Sequence, residues 1–193
     1  MSALVPARTA LLLMDFQNGI VAMLGDKAPA LLERAGRARA AARQAGIAVM
    51  YVRVAFTAAD AAAVPAHNPM LAAAAASGRL ADGGEATSIH PALAPAPGEE
   101  VFRKCRVGAF STTDLGARLS ARGIDTLVLS GISTSGVVLS TLRDAADHDY
   151  RLFVIADCCG DTDAEVHRVL TEKVFPRQAQ VIGLDGFGAM AAG

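Results

Sequence analysis

Residues 11–14 extend Ala10 into an unbroken apolar run closed by Asp15. The run is too short for a helix and predicts a strand buried on both faces, with the carboxylate at its C-terminal end. Over 29–45 the period changes: Leu31, Leu32, Ala35, Ala38, Ala42 and Ala45 recur every three or four positions, charged residues fill the gaps, and Gly46 follows. That is the pattern of an amphipathic helix with a glycine stop. A β-branched run over 47–54 predicts a second strand and completes a βαβ unit.

The rhythm breaks over 57–100, where an alanine run at 72–76 gives way to Gly83-Gly84 and then to Pro91, Pro95 and Pro97. A short helix followed by an irregular loop is expected there, serving as a lid, a subunit contact or a plain surface excursion. Alternation resumes with a strand at 101–104, a helix at 112–122, a strand at 126–132, a helix at 134–149, a strand at 151–156 ending at Asp157, a helix at 161–174 and a last strand at 180–182. No repeat or linker divides the chain, so one domain over 1–193 is expected, with the glycine- and alanine-rich residues 186–193 as a loose tail. Repeated βα units predict an α/β fold in which an open, parallel, doubly wound sheet is covered by helices on both sides.

Composition narrows the functional classes. Of 193 residues, 52% are hydrophobic and 41 are alanine, whereas only nine are aromatic, so the core must rest on aliphatic side chains and close backbone approach. A formal charge of -1 gives no long-range pull on phosphate backbones, and nucleic acid is not an expected partner. No apolar stretch nears the roughly 20 residues that cross a bilayer, and no basic-then-apolar leader opens the chain. No membrane partner is expected, and the chain reads as soluble and cytoplasmic. Three cysteines, two of them adjacent, make neither a disulfide framework nor a paired zinc pattern, so reduced thiols are expected.

In doubly wound sheets ligands bind beyond the carboxyl ends of the strands. Asp15, Arg53, the Arg103-Lys104-Cys105 group, the Ser133-Thr134-Ser135 turn and Asp157 are therefore the candidates. A carboxylate at the end of a buried strand loses water, and Lys104 is the available counter-ion; the pair could shuttle protons or simply tie two strand ends together. The turn at 131–136 leads from strand to helix, where free N–H groups could bind an anion or where Ser133 or Thr134 could act as a cap. It lacks the second glycine of a nucleophile elbow. No glycine-rich phosphate loop follows the first strand, so no nucleotide cofactor is expected. The four histidines show no ligand spacing, although His67 and His90 fall in the lid segment. Lys104 and Cys105 are consecutive in a strand and should point to opposite faces.

Three blocks in order carry a family resemblance: Leu11-Leu12-Leu13-Met14-Asp15-Phe16-Gln17-Asn18, then Val101-Phe102-Arg103-Lys104 with Gly108-Ala109-Phe110-Ser111-Thr112-Thr113-Asp114-Leu115, then Leu127-Val128-Leu129-Ser130-Gly131-Ile132-Ser133-Thr134-Ser135-Gly136. Together they resemble the signatures of the isochorismatase-like, or cysteine hydrolase, superfamily. The resemblance implies a three-layer α/β/α fold with a roughly six-stranded parallel sheet, a small-molecule substrate, a homodimer or larger homo-oligomer, and an Asp-Lys-Cys triad. Asp15 and Lys104 match two members of that triad, and the third member's place falls at Val137. Valine has no nucleophilic atom, so a covalent amidase route cannot run through it. A related branch, the isochorismatases, also lacks the cysteine and is thought to use the aspartate as a general acid. The implied function is acid/base hydrolysis without a cysteine nucleophile, the alternative being a non-catalytic descendant that binds a metabolite or partner. Gln17, Phe110, Ile132, Ser133, Thr134, Ser135 and Gly136 are the implied substrate contacts, with a cis peptide at Ile132-Ser133. The metal-bearing branch places histidines after the second strand, but residues 54–60 hold none, and neither metal nor cofactor is expected.

Overall fold

The first strand sets the architecture, because all of its residues are buried and they alternate between two cores. In the computed structural model, which describes residues 3–193, Leu11 and Leu13 join one hydrophobic cluster, and Ala10, Leu12 and Met14 join the other. Such a strand must lie in the middle of a sheet covered on both faces. Six strands, β1 (Thr9–Met14), β2 (Ala48–Val54), β3 (Glu100–Lys104), β4 (Thr126–Ile132), β5 (Arg151–Gly160) and β6 (Gln180–Ile182), pair in the order β3-β2-β1-β4-β5-β6. Every pairing is parallel. Strand order reverses between β1 and β4, and that switch point opens the crevice for a ligand.

The helices are α1 (Asn18–Val21), α2 (Ala28–Gln44), α3 (Ala58–Ala62), α4 (Pro69–Ala76), α5 (Leu115–Ala121), α6 (Leu139–Asp147), α7 (Ala164–Val169) and α8 (Leu184–Ala192). On one face Ala35, Ala38 and Ala42 of α2 are fully buried against the sheet beside Phe187 and Met190 of α8. Their small side chains let the backbone of α2 come close, which is how a core short of aromatics is filled. Leu115 and Leu119 of α5 and Leu142 and Ala145 of α6 cover the other face.

Five expectations need correction. Residues 186–193 are no loose tail, because Leu184, Phe187, Met190 and Ala191 repeat at helical spacing and dock α8 on α2. The strand expected to end at Asp157 continues to Gly160 through a register shift opposite Leu129 and Gly131. The 57–100 segment holds two helices and two short 3-10 turns, at Glu85–Thr87 and Pro91–Leu93. It is pinned to the sheet end by Phe56, which exchanges backbone hydrogen bonds with Leu80 and Asp82. Finally, helix α5 begins only at Leu115, and Thr134–Val138 forms a wide π turn that feeds α6.

Candidate active site

Asp15 leaves β1 with φ +58°, a left-handed conformation that aspartate tolerates better than most residues. Its N–H donates to the Val52 carbonyl at 2.8 Å, and Phe16 beyond it is buried, so the turn is held from both sides. Lys104 stands two strands away, at the end of β3, level with Val54. Its side chain crosses the end of β2, and Nζ donates to Asp15 Oδ2 at 2.8 Å and to the Arg106 carbonyl at 3.2 Å. The side chains of the pair are 2% and 6% exposed. Burial pushes the Asp15 carboxyl above its ordinary range, and the Lys104 ammonium pulls in the opposite direction. Oδ1 of Asp15 is buried with no hydrogen-bond partner, an arrangement that a proton or a ligand atom would satisfy.

The pair borders a cavity of about 300 Å³ at the switch point between β1 and β4. Ile20, Met23 and Leu24 wall it on one side; Met70, Leu71, Ala74 and Leu80 from the 57–100 segment wall it on another. The segment is therefore part of the pocket wall. Ile132, Ser133, Ser135, Gly136 and Val137 form the floor, and the Ile132-Ser133 peptide is cis. Gly131 just before them has no room for a side chain, since a Cβ would stand 2.7 Å from the Met14 carbonyl oxygen. No hydrogen bond to Ser133 Oγ is formed by any described residue, which leaves that hydroxyl free to meet a ligand. Arg106 also reaches the cavity and forms no ion pair among the described residues.

Val137 is 2% exposed and presents only hydrocarbon to this space. None of the three cysteines lines the cavity. Cys105 was expected to share a strand with Lys104 and face the other way, but it lies in the bend just past the end of β3, where its N–H donates to Thr112 Oγ1. Cys158 and Cys159 are buried, and loss of water raises both thiols, Cys159 to about 12. Buried thiols with a raised pKa hold their protons and are poor nucleophiles.

Several sequence candidates lie elsewhere. Gln17 is wholly buried and its amide is spent on the backbone: Nε2 donates to the Val54 and Thr87 carbonyls, and Oε1 accepts from the Val54 N–H. It clamps the 57–100 segment to the sheet and does not border the cavity. Phe110 packs on His148 and Tyr150 away from the pocket. Thr134 is fully buried, with its hydroxyl 2.8 Å from His167 Nδ1. Asp157 is exposed on the bulge of β5, and its carboxylate accepts the Leu184 N–H at the start of α8. Arg53 pairs with Asp82 and Arg103 with Asp60 and Asp82 on the outer side of the sheet edge. His67 is exposed, and His90 caps a 3-10 turn by accepting the Ala92 N–H.

Sequence reasoning missed Asp161, which borders the cavity and accepts from both the N–H and the Oγ of Ser135, at 2.8 and 2.7 Å. Its only signal was its place at the start of a helical pattern, and that reading concealed it. Among the described residues no group of three or more His, Cys, Asp or Glu side chains could hold a metal ion.

A doubly wound parallel sheet with a buried carboxylate–ammonium pair at its switch point defines a class of α/β enzyme with its chemistry at the strand ends. Comparison with known proteins narrows that class. The isochorismatase domain family model matches residues 9–185. An uncharacterized isochorismatase family protein of Escherichia coli O157:H7, YecD, is 36% identical over 178 residues, covering 90% of each chain. Maleamate amidohydrolase of Pseudomonas putida is 30% identical over 167 residues, covering 83% of this chain and 76% of its own. The structure of an isochorismatase family protein from Burkholderia thailandensis superposes with a TM-score of 0.82 at 25% identity over the full length of both chains. The chain belongs to the isochorismatase family and is a hydrolase of that family.

Proposed function

We propose that this protein hydrolyses a small molecule by acid–base catalysis, with no attacking atom supplied by a cysteine. Asp15 is the general acid, Lys104 sets its charge and position, and Ser133 Oγ orients the substrate. The observation that carries this reading is the unpartnered, buried Oδ1 of Asp15 on a cavity that no cysteine borders and whose floor carries Val137. A carboxyl whose hold on a proton is strengthened by burial is the kind of group that can protonate a leaving oxygen, nitrogen or vinyl carbon. The cavity volume of about 300 Å³ fits a compact metabolite.

The test is turnover of isochorismate and a panel of small amides, maleamate among them, by the wild type and by Asp15→Asn. The amide cannot donate a carboxyl proton, and kcat should fall by about 100-fold or more, the usual worth of a positioned acid. Equal rates in the two proteins would remove Asp15 from the reaction. Thermal stabilisation by a compound that is never turned over would favour a binding role for the pocket instead.

A further inference from the structure

The cavity holds a second carboxylate that acid catalysis alone leaves unused. Asp161 follows the last residue of β5 and is 9% exposed. Its Oδ2 is braced by the N–H and the hydroxyl of Ser135, which fixes the plane of the group. Its Oδ1 has only a long contact, 3.4 Å, from the Asp163 N–H, so lone pairs remain for another donor. The Ser135 N–H is one of the amides that a substrate oxygen would seek at the start of a helix, and here a protein carboxylate has taken it. An anionic atom arriving at this corner meets like charge; a neutral hydrogen-bond donor such as water meets an acceptor. The two carboxylates thus occupy opposite environments, Asp15 dry with an unpartnered oxygen and Asp161 hydrogen-bonded beside exposed Thr162.

We propose that Asp161 is the general base of this site, drawing a proton from a water molecule held at Oδ1 while Asp15 protonates the leaving atom. The proposal rests on the acid–base reading above and adds its missing half. The water oxygen forms a bond to the electrophilic carbon as the bond from that carbon to the leaving atom breaks. The bonding pair departs with the leaving atom, which takes the proton of Asp15, and the proton lost by water passes to Asp161. Exchange with solvent then returns both carboxyls to their starting states. Val137 offers no attacking atom, the acid–base route takes water as its nucleophile, and the cavity provides a carboxylate oriented to activate it.

Two variants test this on whichever panel compound the wild type turns over. Asp161→Asn keeps an oxygen for both Ser135 hydrogen bonds and removes the base; Asp161→Ala removes the group and leaves space for a small anion. We expect Asp161→Asn to keep the wild-type melting temperature and KM, to lose about 100-fold in kcat, and to lose the acidic limb of the kcat/KM profile. The other charged or titratable groups around Asp161 are Asp15, Lys104 and Arg106 across the cavity, Lys27, Arg34, Cys159 and His167 behind it, and Asp163 two residues on, and all remain in the variant. Added formate or azide should restore part of the rate of Asp161→Ala. Turnover by Asp161→Asn within about threefold of wild type, with Asp15→Asn inactive, would overturn this proposal and leave the acid reading standing. So would a loss that formate and azide cannot rescue and that keeps the acidic limb, since that is the signature of a merely structural brace. Absence of turnover of every compound by the wild type would overturn both.

Discussion

Arg103 and Lys104 are consecutive in one strand, carry the same charge and both face aspartates, yet they do opposite things. Alternation sends Arg103 to the outer side of the sheet edge, where it donates to Asp60 and lies near Asp82, itself paired with Arg53. Those groups stay in contact with water, so hydrogen bonds from Thr57 and then Arg103 hold Asp60, and one from Arg53 holds Asp82, below the ordinary carboxylate range. Lys104 turns inward to Asp15, where burial is the larger influence and the carboxyl is raised instead. The first arrangement is a latch that fastens α3 and the Ala81-Asp82 turn to the sheet edge. The second is a dry pair at the cavity, the environment that the proposed acid catalysis requires. Charge pairing by itself does not raise a carboxyl; removal of water does.

The sharpest way to break this contrast is Lys104→Met. It leaves a buried carboxyl without its cation and should cost about 3–5 kcal/mol at pH 7, read by urea unfolding, together with most of the turnover. The cost should shrink in acid as Asp15 takes up a proton. Next in size is the pH dependence of stability. A carboxyl raised in the folded state binds more protons there than in the unfolded chain, so its contribution is complete below the ordinary value of 3.8 and fades as pH rises through the raised native value. Asp60 and Asp82 run the other way, contributing above 3.8 and losing it as pH falls through their lowered values. Asp15→Asn should therefore flatten the decline of unfolding free energy that sets in as pH rises above 3.8 and leave the loss in acid intact; an unchanged slope there would show that Asp15 is not raised. The smallest effect belongs to Arg103→Gln. It should hardly move the melting temperature but should speed hydrogen exchange over residues 57–82, since a solvated pair contributes little to global stability. A KM increase larger than the kcat decrease would show that the latch shapes the pocket wall at Met70 and Leu80.

Legibility followed the range of the forces involved. The strands at 11–14, 47–54 and 126–132 were plain because burial on both faces demands uninterrupted apolar runs, and α2 because its alanines recur at helical spacing. The helix α8 was missed because glycine and alanine weaken the local signal, while Phe187 and Met190 find their partners on α2, more than 140 residues earlier in the chain. Asp157 was misplaced because a bulge in β5 carries the strand past it, with Ser130 Oγ bonded to the Cys158 carbonyl at that point. Gln17 sits inside a signature block, yet its amide serves the backbone of β2 and of the 57–100 segment.

The sequence by itself determined the parallel α/β plan, the family, and the presence of Asp15 and Lys104 at strand ends, because each depends on residue type and local period. Only the tertiary structure decided which charges are dry, that Asp161 shares the cavity with Asp15, and that Asp157 and Gln17 hold the frame. Those outcomes depend on exclusion of water and on contacts between residues far apart in the chain, and no local pattern encodes either.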